Sequence, residues 1–250
     1  MSGHSKWSTI KHKKAAEDAK RGKVFTRLAR EIVVAARKGG GDPEMNTALA
    51  LAVSRAKAAN MPKENIDRAI KKGTGEDKSG EAYEEVMYEG YGPHGVALMI
   101  ECATDNRRRT VADLRHVLTS GGGSLGEGGS VAWQFTQSAY FTLSAEGQNE
   151  DGIFELAVLG GADDVIADGG IIEIIGEITS FKSIHDQLAG ASIQTDDAGL
   201  RMIPNQEMDL AIDETVKVMK VIERLEDLDD VQNVYSNLNI TDEAIAQFGG

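Results

Sequence analysis

The side chains best suited to bind a polyanion lie near the N-terminus. One tryptophan, Trp7, and one histidine, His12, occur among four lysines, which are Lys6, Lys11, Lys13 and Lys14. Clustered ammonium groups suit phosphate contact and counterion release, and an exposed indole can stack on a base. The same indole could instead pack this arm onto the following helices. The pattern predicts nucleic-acid binding by the lysines and leaves both roles open for Trp7.

A second group of cations follows on a predicted helix. Its members are spaced by three, four, three and seven residues, so they stack along one helix side; they are Lys20, Lys23, Arg27, Arg30 and Arg37. Arg21 adjoins this basic face in the sequence. The opposite side carries an apolar stripe that begins at Phe25 and Leu28, typical of a core-facing helix. We expect this face to continue the phosphate-binding surface of the arm.

Three consecutive arginines, Arg107, Arg108 and Arg109, form a basic cluster in the otherwise acidic body. They fall at the start of a predicted helix, where cations oppose the helix dipole. Two explanations remain open. The arginines pair with neighbouring carboxylates such as Asp105 and Asp113, or they serve an anionic partner that binds at the helix N-terminus.

Three apparent catalytic or metal patterns are not supported by their context. Residues 121–126, GGGSLG, match both a dinucleotide-binding pattern and a serine elbow, but these patterns join a strand to a helix, and here a helix precedes the segment. A flexible loop is favoured. The histidines are too dispersed for a local metal signature, and the acidic group at 226–230 is interpreted as a solvated helix end. We expect no catalytic residue, no metal and no cofactor.

Charge is distributed very unevenly along the chain. The net charge is −13, yet residues 1–72 contain 17 Lys/Arg and 7 Asp/Glu, whereas residues 73–250 contain 10 and 33. These counts give +10 for the first segment and −23 for the second. Such asymmetry indicates nucleic acid or another anionic surface as partner of the basic end. The alternative is that the acidic body only maintains solubility.

Length and composition indicate how many domains the chain forms and in which cellular compartment it occurs. A chain of 250 residues is expected to form two or three domains. The single cysteine, Cys102, excludes an internal disulfide framework and fits a reducing compartment. The first residues lack the apolar core of a signal peptide, and no 18-residue apolar run follows. We expect a cytoplasmic protein without a membrane partner.

Periodicity predicts a multidomain α and α+β fold. An N-terminal three-helix bundle is predicted from helices at 24–38, 44–59 and 62–73, with breaks at Gly22 and 39–43. The body is predicted to begin with a hairpin, a helix and a strand, at 84–91, 96–103, 107–118 and 130–135.

The next segment, residues 140–203, has the β-α-β-β-α-β order of a ferredoxin-like unit. The closing helix and strand, at 213–225 and 231–238, lack a complete fold of their own and should rejoin the first body segment. The predicted domains are the arm and bundle, a discontinuous α+β domain and an inserted ferredoxin-like domain, at 1–77, 78–136 plus 206–250, and 137–205.

Several motifs resemble the YebC/PmpR family over the whole chain. They are GHSKW at 3–7, the segment 18–25, NMPK at 60–63, TDNRRRT at 104–110, GSVA at 129–132 and DVQNVY at 230–235. The resemblance implies the three-domain fold and a regulator of gene expression. Two positions depart from the family: Ala48 and Ala50 stand where arginines are frequent, and Thr136-Gln137-Ser138 replaces a basic turn. Nucleic-acid contacts are not expected there.

Two functions remain as family expectations for this non-enzymatic protein. Most members are described as DNA-binding transcriptional regulators. Others, including a mitochondrial translational activator of a cytochrome oxidase subunit, act in translation, and some associate with the ribosome and relieve stalling on proline-rich stretches. The residues do not choose between DNA and RNA, because phosphate contacts carry no sequence information. They also leave the oligomeric state open.

Overall fold

The computed structural model describes residues 6–7, 18–77 and 83–249, with the backbone alone for residues 18–21. The described residues form two compact units. The bundle-sheet unit contains those within 14–132 and 213–236, and the ferredoxin-like unit contains those within 1–13, 133–212 and 237–250. No helix in the described ranges is long and apolar enough to cross a membrane.

Helices and strands are numbered in chain order. The helices are α1 (Asp18–Gly39), α2 (Thr47–Ala58), α3 (Lys63–Thr74), α4 (Arg107–Ser120), α5 (Glu150–Leu159), α6 (Phe181–Gly190), α7 (Ile212–Glu226) and α8 (Asp242–Gly249). The strands are β1 (Glu84–Tyr91), β2 (Ala97–Thr104), β3 (Ser124–Leu125), β4 (Phe135–Ser144), β5 (Ala162–Asp168), β6 (Ile171–Gly176), β7 (Asp197–Pro204) and β8 (Val231–Ser236).

The predicted three-helix bundle is confirmed. Helix α1 packs against α2 and α3 around a buried apolar core that includes Ile32, Leu49 and Ile66. The helices approach closely at Gly73, where an added Cβ would lie 2.5 Å from the carbonyl oxygen of Val33. Contrary to the predicted break at Gly22, α1 continues through it. A glycine inside a helix costs only about 1 kcal/mol, which the packing of α1 can offset.

A four-stranded antiparallel sheet lies in the bundle-sheet unit. The strand order is β3-β1-β2-β8, and β1 and β2 form the predicted hairpin, with Glu84 opposite Thr104. The predicted strand at 130–135 is wrong: Ala132–Gln134 form a 3₁₀ turn, and β4 begins at Phe135. The amides of Val131 and Ala132 donate to the Glu89 carboxylate and are therefore not available to a strand ladder.

The ferredoxin-like unit has the predicted β-α-β-β-α-β order. Its sheet is antiparallel throughout, in the order β5-β6-β4-β7, so that β6 separates the first two strands of the motif. Phe141 and Ile174 are fully buried and lie opposite each other in the sheet. Phe141 also stacks on Phe181 of α6, with ring centroids 4.9 Å apart. The expected multidomain α and α+β class is confirmed.

Candidate nucleic-acid interface

Only Lys6 and Trp7 of the predicted arm are described, and both contact α8. The Lys6 Nζ donates to Oδ1 and Oδ2 of Asp242, at 2.7 and 2.9 Å, and this hydrogen bond raises the pKa of the Lys6 amine. The Trp7 side chain is 3% exposed and meets the Phe248 ring edge to face, with centroids 5.6 Å apart. Trp7 therefore packs against α8, as an anchor for this part of the chain.

The remaining arm residues of the prediction, Lys11, His12, Lys13 and Lys14, lie outside the described residues. The same holds for the side chains of Lys20 and Arg21. Their proposed roles therefore depend on the sequence pattern alone.

The described cations of α1 do not form a uniformly exposed face. Lys23 is exposed, and its Nζ donates to the carbonyl oxygen of Asp227 at 3.3 Å. Arg27 is partly exposed, whereas Arg30 is only 8% exposed. The Arg30 guanidinium lies 5.1 Å from the ring centroid of Tyr83. Helical spacing predicted one continuous basic side, but the sheet packs against that side at Arg30, as the next contacts show.

Asp230 is the centre of a buried polar network. Its Oδ1 accepts from Arg30 Nη1 at 2.7 Å, and its Oδ2 accepts from Arg109 Nη2 at 3.0 Å. Oδ2 also accepts from the hydroxyls of Thr104 and Thr110, at 3.2 and 2.8 Å. One carboxylate thus joins α1, β2 and α4 to the turn before β8. The interpretation of residues 226–230 as a solvated helix end is wrong for Asp230.

Two of the three consecutive arginines are paired within the chain. Arg107 binds both Glu84 oxygens, at 2.6 and 2.8 Å, and this hydrogen bond lowers the pKa of Glu84. Arg109 Nη2 donates to Asp105 at 2.7 Å besides Asp230, and these hydrogen bonds raise the pKa of Arg109. Pairing with carboxylates therefore explains two arginines, although Glu84 and Asp230 replace the expected Asp113.

Arg108 differs from its two neighbours. It is exposed, and within the described ranges it has no ion pair. Helix α4 begins beside it, with the Asn106 side chain accepting from the Arg109 amide at 3.2 Å as N-cap. All three arginines are exposed, and Arg108 is the one that has no carboxylate partner among the described residues.

Further cations of the bundle were missed by the sequence search, which followed only one helix face. One of them, Lys72, joins the predicted Arg30 and Arg37 at Tyr83. Its Nζ lies 4.5 Å from the ring centroid, and Arg37 donates to the Tyr83 carbonyl oxygen at 2.8 Å. Other exposed cations of the bundle are Lys38, Lys57, Lys63, Arg68 and Lys71. The net charge of residues 1–72 was the available signal for them.

The glycine-rich segment 121–129, predicted as a flexible loop, contains the two-residue strand β3, and its last residue is hydrogen-bonded to Glu89. The Glu89 carboxylate accepts from the amides of Gly129, Val131 and Ala132, at 2.6, 2.7 and 2.8 Å. Burial raises the pKa of Glu89, but these backbone hydrogen bonds outweigh it and leave the pKa below its ordinary value. The anion-binding amides at 129–132 are therefore occupied by the chain's own carboxylate.

Ser124 does not have the setting of a nucleophile. It lies in β3, opposite Tyr91 of β1, and not at a turn from a strand into a helix. Within the described ranges, no group of three or more His, Cys, Asp or Glu side chains is arranged to hold a metal ion.

The architecture defines a multidomain α and α+β protein with a cationic helical bundle. The chain matches the description "TACO1/YebC protein N-terminal domain" over residues 5–76 and "TACO1/YebC second and third domain" over residues 83–238. The chain belongs to the TACO1/YebC family, which confirms the resemblance found in the sequence.

Relatives match over nearly the whole chain. A protein of Nitrosococcus oceani named "probable transcriptional regulatory protein" is 50% identical over 250 residues, covering 100% of both chains. One of that name from Borrelia turicatae is 50% identical, covering 97% of this chain and 99% of the relative. The crystal structure of a conserved hypothetical protein from Aquifex aeolicus is 41% identical with a TM-score of 0.83, covering 90% of this chain and 93% of that one.

Proposed function

We propose that this chain is a non-enzymatic, cytoplasmic regulator of gene expression that binds nucleic acid through its basic segment 1–77 together with Arg108, with duplex DNA as the preferred ligand. The observation that carries the proposal is the separation of charge, +10 over residues 1–72 against −23 over the remainder. A cationic segment gains affinity from released counterions, while the acidic remainder repels phosphate. The names of the relatives supply the regulatory role.

The proposed contacts divide into two groups. Cations that the described structure leaves accessible are assigned to phosphates; they are Lys23, Arg27, Arg37 and Arg108. The sequence adds Lys11, His12, Lys13, Lys14, Lys20 and Arg21 to this group. Lys6, Arg30, Arg107 and Arg109 donate hydrogen bonds to carboxylates within the chain, and Trp7 packs against Phe248. We assign these five to structural roles rather than to phosphates.

A matched pair of variants tests the location of the interface. We expect Lys23→Ala/Arg27→Ala to weaken binding to a labelled DNA duplex and to reduce the slope of log affinity against log salt by about 1–2 units. Lys217→Ala/Lys220→Ala removes the same charge from exposed positions of α7 and should leave the slope unchanged. Fluorescence anisotropy at several salt concentrations measures both. Equal losses in the two variants would show that net charge, and not this surface, governs binding.

The choice of nucleic acid needs its own comparison. A duplex DNA and an RNA hairpin of equal length and charge should be titrated at the same salt concentration, because affinities measured at different salt are not comparable. The proposal expects tighter binding to the duplex DNA. Tighter binding to the hairpin, with loss in the Lys23→Ala/Arg27→Ala variant, would assign the same surface to RNA and favour the translation role found in the family.

A further inference from the structure

Helix α5 of the ferredoxin-like unit has large apolar side chains on both of its sides. On the inner side, Ile153 and Ala157 are buried. On the outer side, Phe154, Val158 and Leu159 are 53%, 50% and 73% exposed. Phe154 and Val158 are four residues apart and therefore neighbours on the helix surface. We name the surface formed by Phe154, Val158 and Leu159 the α5 face.

The α5 face extends toward the next helix. An added Cβ on Gly160 would lie 2.7 Å from the Cα of Ile184, and one on Gly161 would lie 2.9 Å from the Ser180 hydroxyl. The end of α5 thus lies against the start of α6. Ile178, in the 3₁₀ turn before α6, is also exposed. A group of large exposed apolar side chains on neighbouring elements indicates a binding surface.

The surroundings of the α5 face are acidic. Exposed carboxylates flank it along the chain: Glu150, Asp151, Glu155, Asp163 and Glu177. The sequence has no lysine or arginine between Arg115 and Lys182. Lys182 is itself paired with Asp186 at 2.5 Å. No lysine or arginine within residues 116–181 is therefore available to compensate these carboxylates.

Asp151 and Glu155 adjoin these apolar side chains on the helix surface, and we call the exposed carboxylates beside the α5 face its acidic rim. The combination of exposed apolar side chains and acidic rim selects the occupant. Nucleic acid would bring phosphates against the carboxylates, and the same face of a second copy would bring carboxylates against carboxylates; both are unfavourable. A segment with apolar side chains on one side and Lys or Arg beside them would bury Phe154 and Leu159 and neutralise the rim. An amphipathic helix supplies these two features at the spacing of one helix surface.

We propose that the α5 face docks a basic amphipathic helix of a partner protein. Its apolar side chains contact Phe154, Val158 and Leu159, and its cations lie next to Asp151 and Glu155. This site takes a protein and is separate in sequence from the basic segment assigned to nucleic acid. Its test therefore does not depend on whether that segment binds DNA.

A synthetic peptide of leucine and lysine, about 18 residues long and patterned as an amphipathic helix, serves as the probe. Its control is a scrambled peptide of the same composition without an apolar side. We expect the patterned peptide to bind more tightly than the scrambled one, and Phe154→Ser/Leu159→Ser to weaken it about tenfold. Met45→Ser/Ile212→Ser, at two other exposed apolar positions, should leave the affinity unchanged.

Charge and self-association are measured alongside. Asp151→Asn/Glu155→Gln should reduce the salt dependence of peptide binding, because two rim charges are removed. Equal binding of both peptides, or full affinity in Phe154→Ser/Leu159→Ser, would overturn the proposal. A dimer seen by sedimentation and dissolved by the same substitutions would assign the face to a second copy. Loss of DNA binding in that variant would assign it to nucleic acid, and either result would also overturn the proposal.

Discussion

Replacing Asp230 should cause one of the largest losses of stability available to a single substitution in this chain. Its side chain is only 7% exposed and accepts hydrogen bonds from two guanidinium groups and two hydroxyls. Asp230→Ala leaves the buried Arg30 guanidinium without its carboxylate. Removing one partner of a buried ion pair costs about 3–5 kcal/mol. We expect a loss in that range, because Arg109 keeps Asp105 as a second partner.

The assay is urea unfolding followed by far-ultraviolet circular dichroism at pH 7. A double-mutant cycle with Arg30→Met separates the pair from its surroundings, since removing both charges leaves no uncompensated ion. We expect Asp230→Ala/Arg30→Met to be less destabilised than the sum of the single variants by about 1–3 kcal/mol. Additive losses, or a loss below about 1 kcal/mol for Asp230→Ala alone, would refute the role of this network.

Three further predictions concern groups away from this network. Glu89→Gln should lower the free energy of unfolding by about 1–3 kcal/mol at pH 7. Because the folded pKa of Glu89 is lowered, the stability that this carboxylate contributes is lost as the pH falls below 4.5, and the wild type and the variant should then converge. A difference in unfolding free energy that stays constant with pH would contradict this. Burial raises the pKa of Cys102 to about 12, so the native thiol should resist a disulfide reagent at pH 8 and react fully in urea; rapid native labelling would contradict its burial. We propose the division into domains 1–77, 78–136 plus 206–250, and 137–205. Replacing 137–205 with a short linker should retain a cooperative thermal melt, because the side chains of Thr136 and Asn205, at the two ends of the segment, are hydrogen-bonded at 2.6 Å. A broad melt would refute the division.

The sequence predicts the elements whose signals are local. The helices of the bundle follow from apolar spacing, and the ferredoxin-like order follows from alternating short runs and glycines. Helix α8 was missed although local signals were present: Thr241 accepts from the Ala244 amide at 3.3 Å, and Asp242 and Glu243 occupy the first turn. Its eight residues are too few for a clear apolar period.

The sequence predicts the net charge of the candidate interface but not which of its side chains are exposed. Composition places the cations in residues 1–72, but it does not reveal that Arg30 forms a buried ion pair with Asp230, which lies 200 residues away in the chain. The same long-range pairing makes Asp230 a buried residue within an acidic run that looks solvated. Trp7 was assigned two possible roles because its partner, Phe248, belongs to a helix that the sequence did not reveal.

The central claim, that the basic N-terminal segment binds nucleic acid through phosphates, is tested most directly by the salt dependence of an arm variant. Lys11→Ala/Lys13→Ala/Lys14→Ala is compared with Lys182→Ala/Lys217→Ala/Lys220→Ala, which removes three lysines from the acidic body. If all three arm lysines contact phosphates, the slope of log affinity against log salt on duplex DNA should fall by about 2–3 units in the arm variant and stay constant in the body variant. An unchanged slope in the arm variant, with its circular dichroism spectrum intact, would contradict the claim.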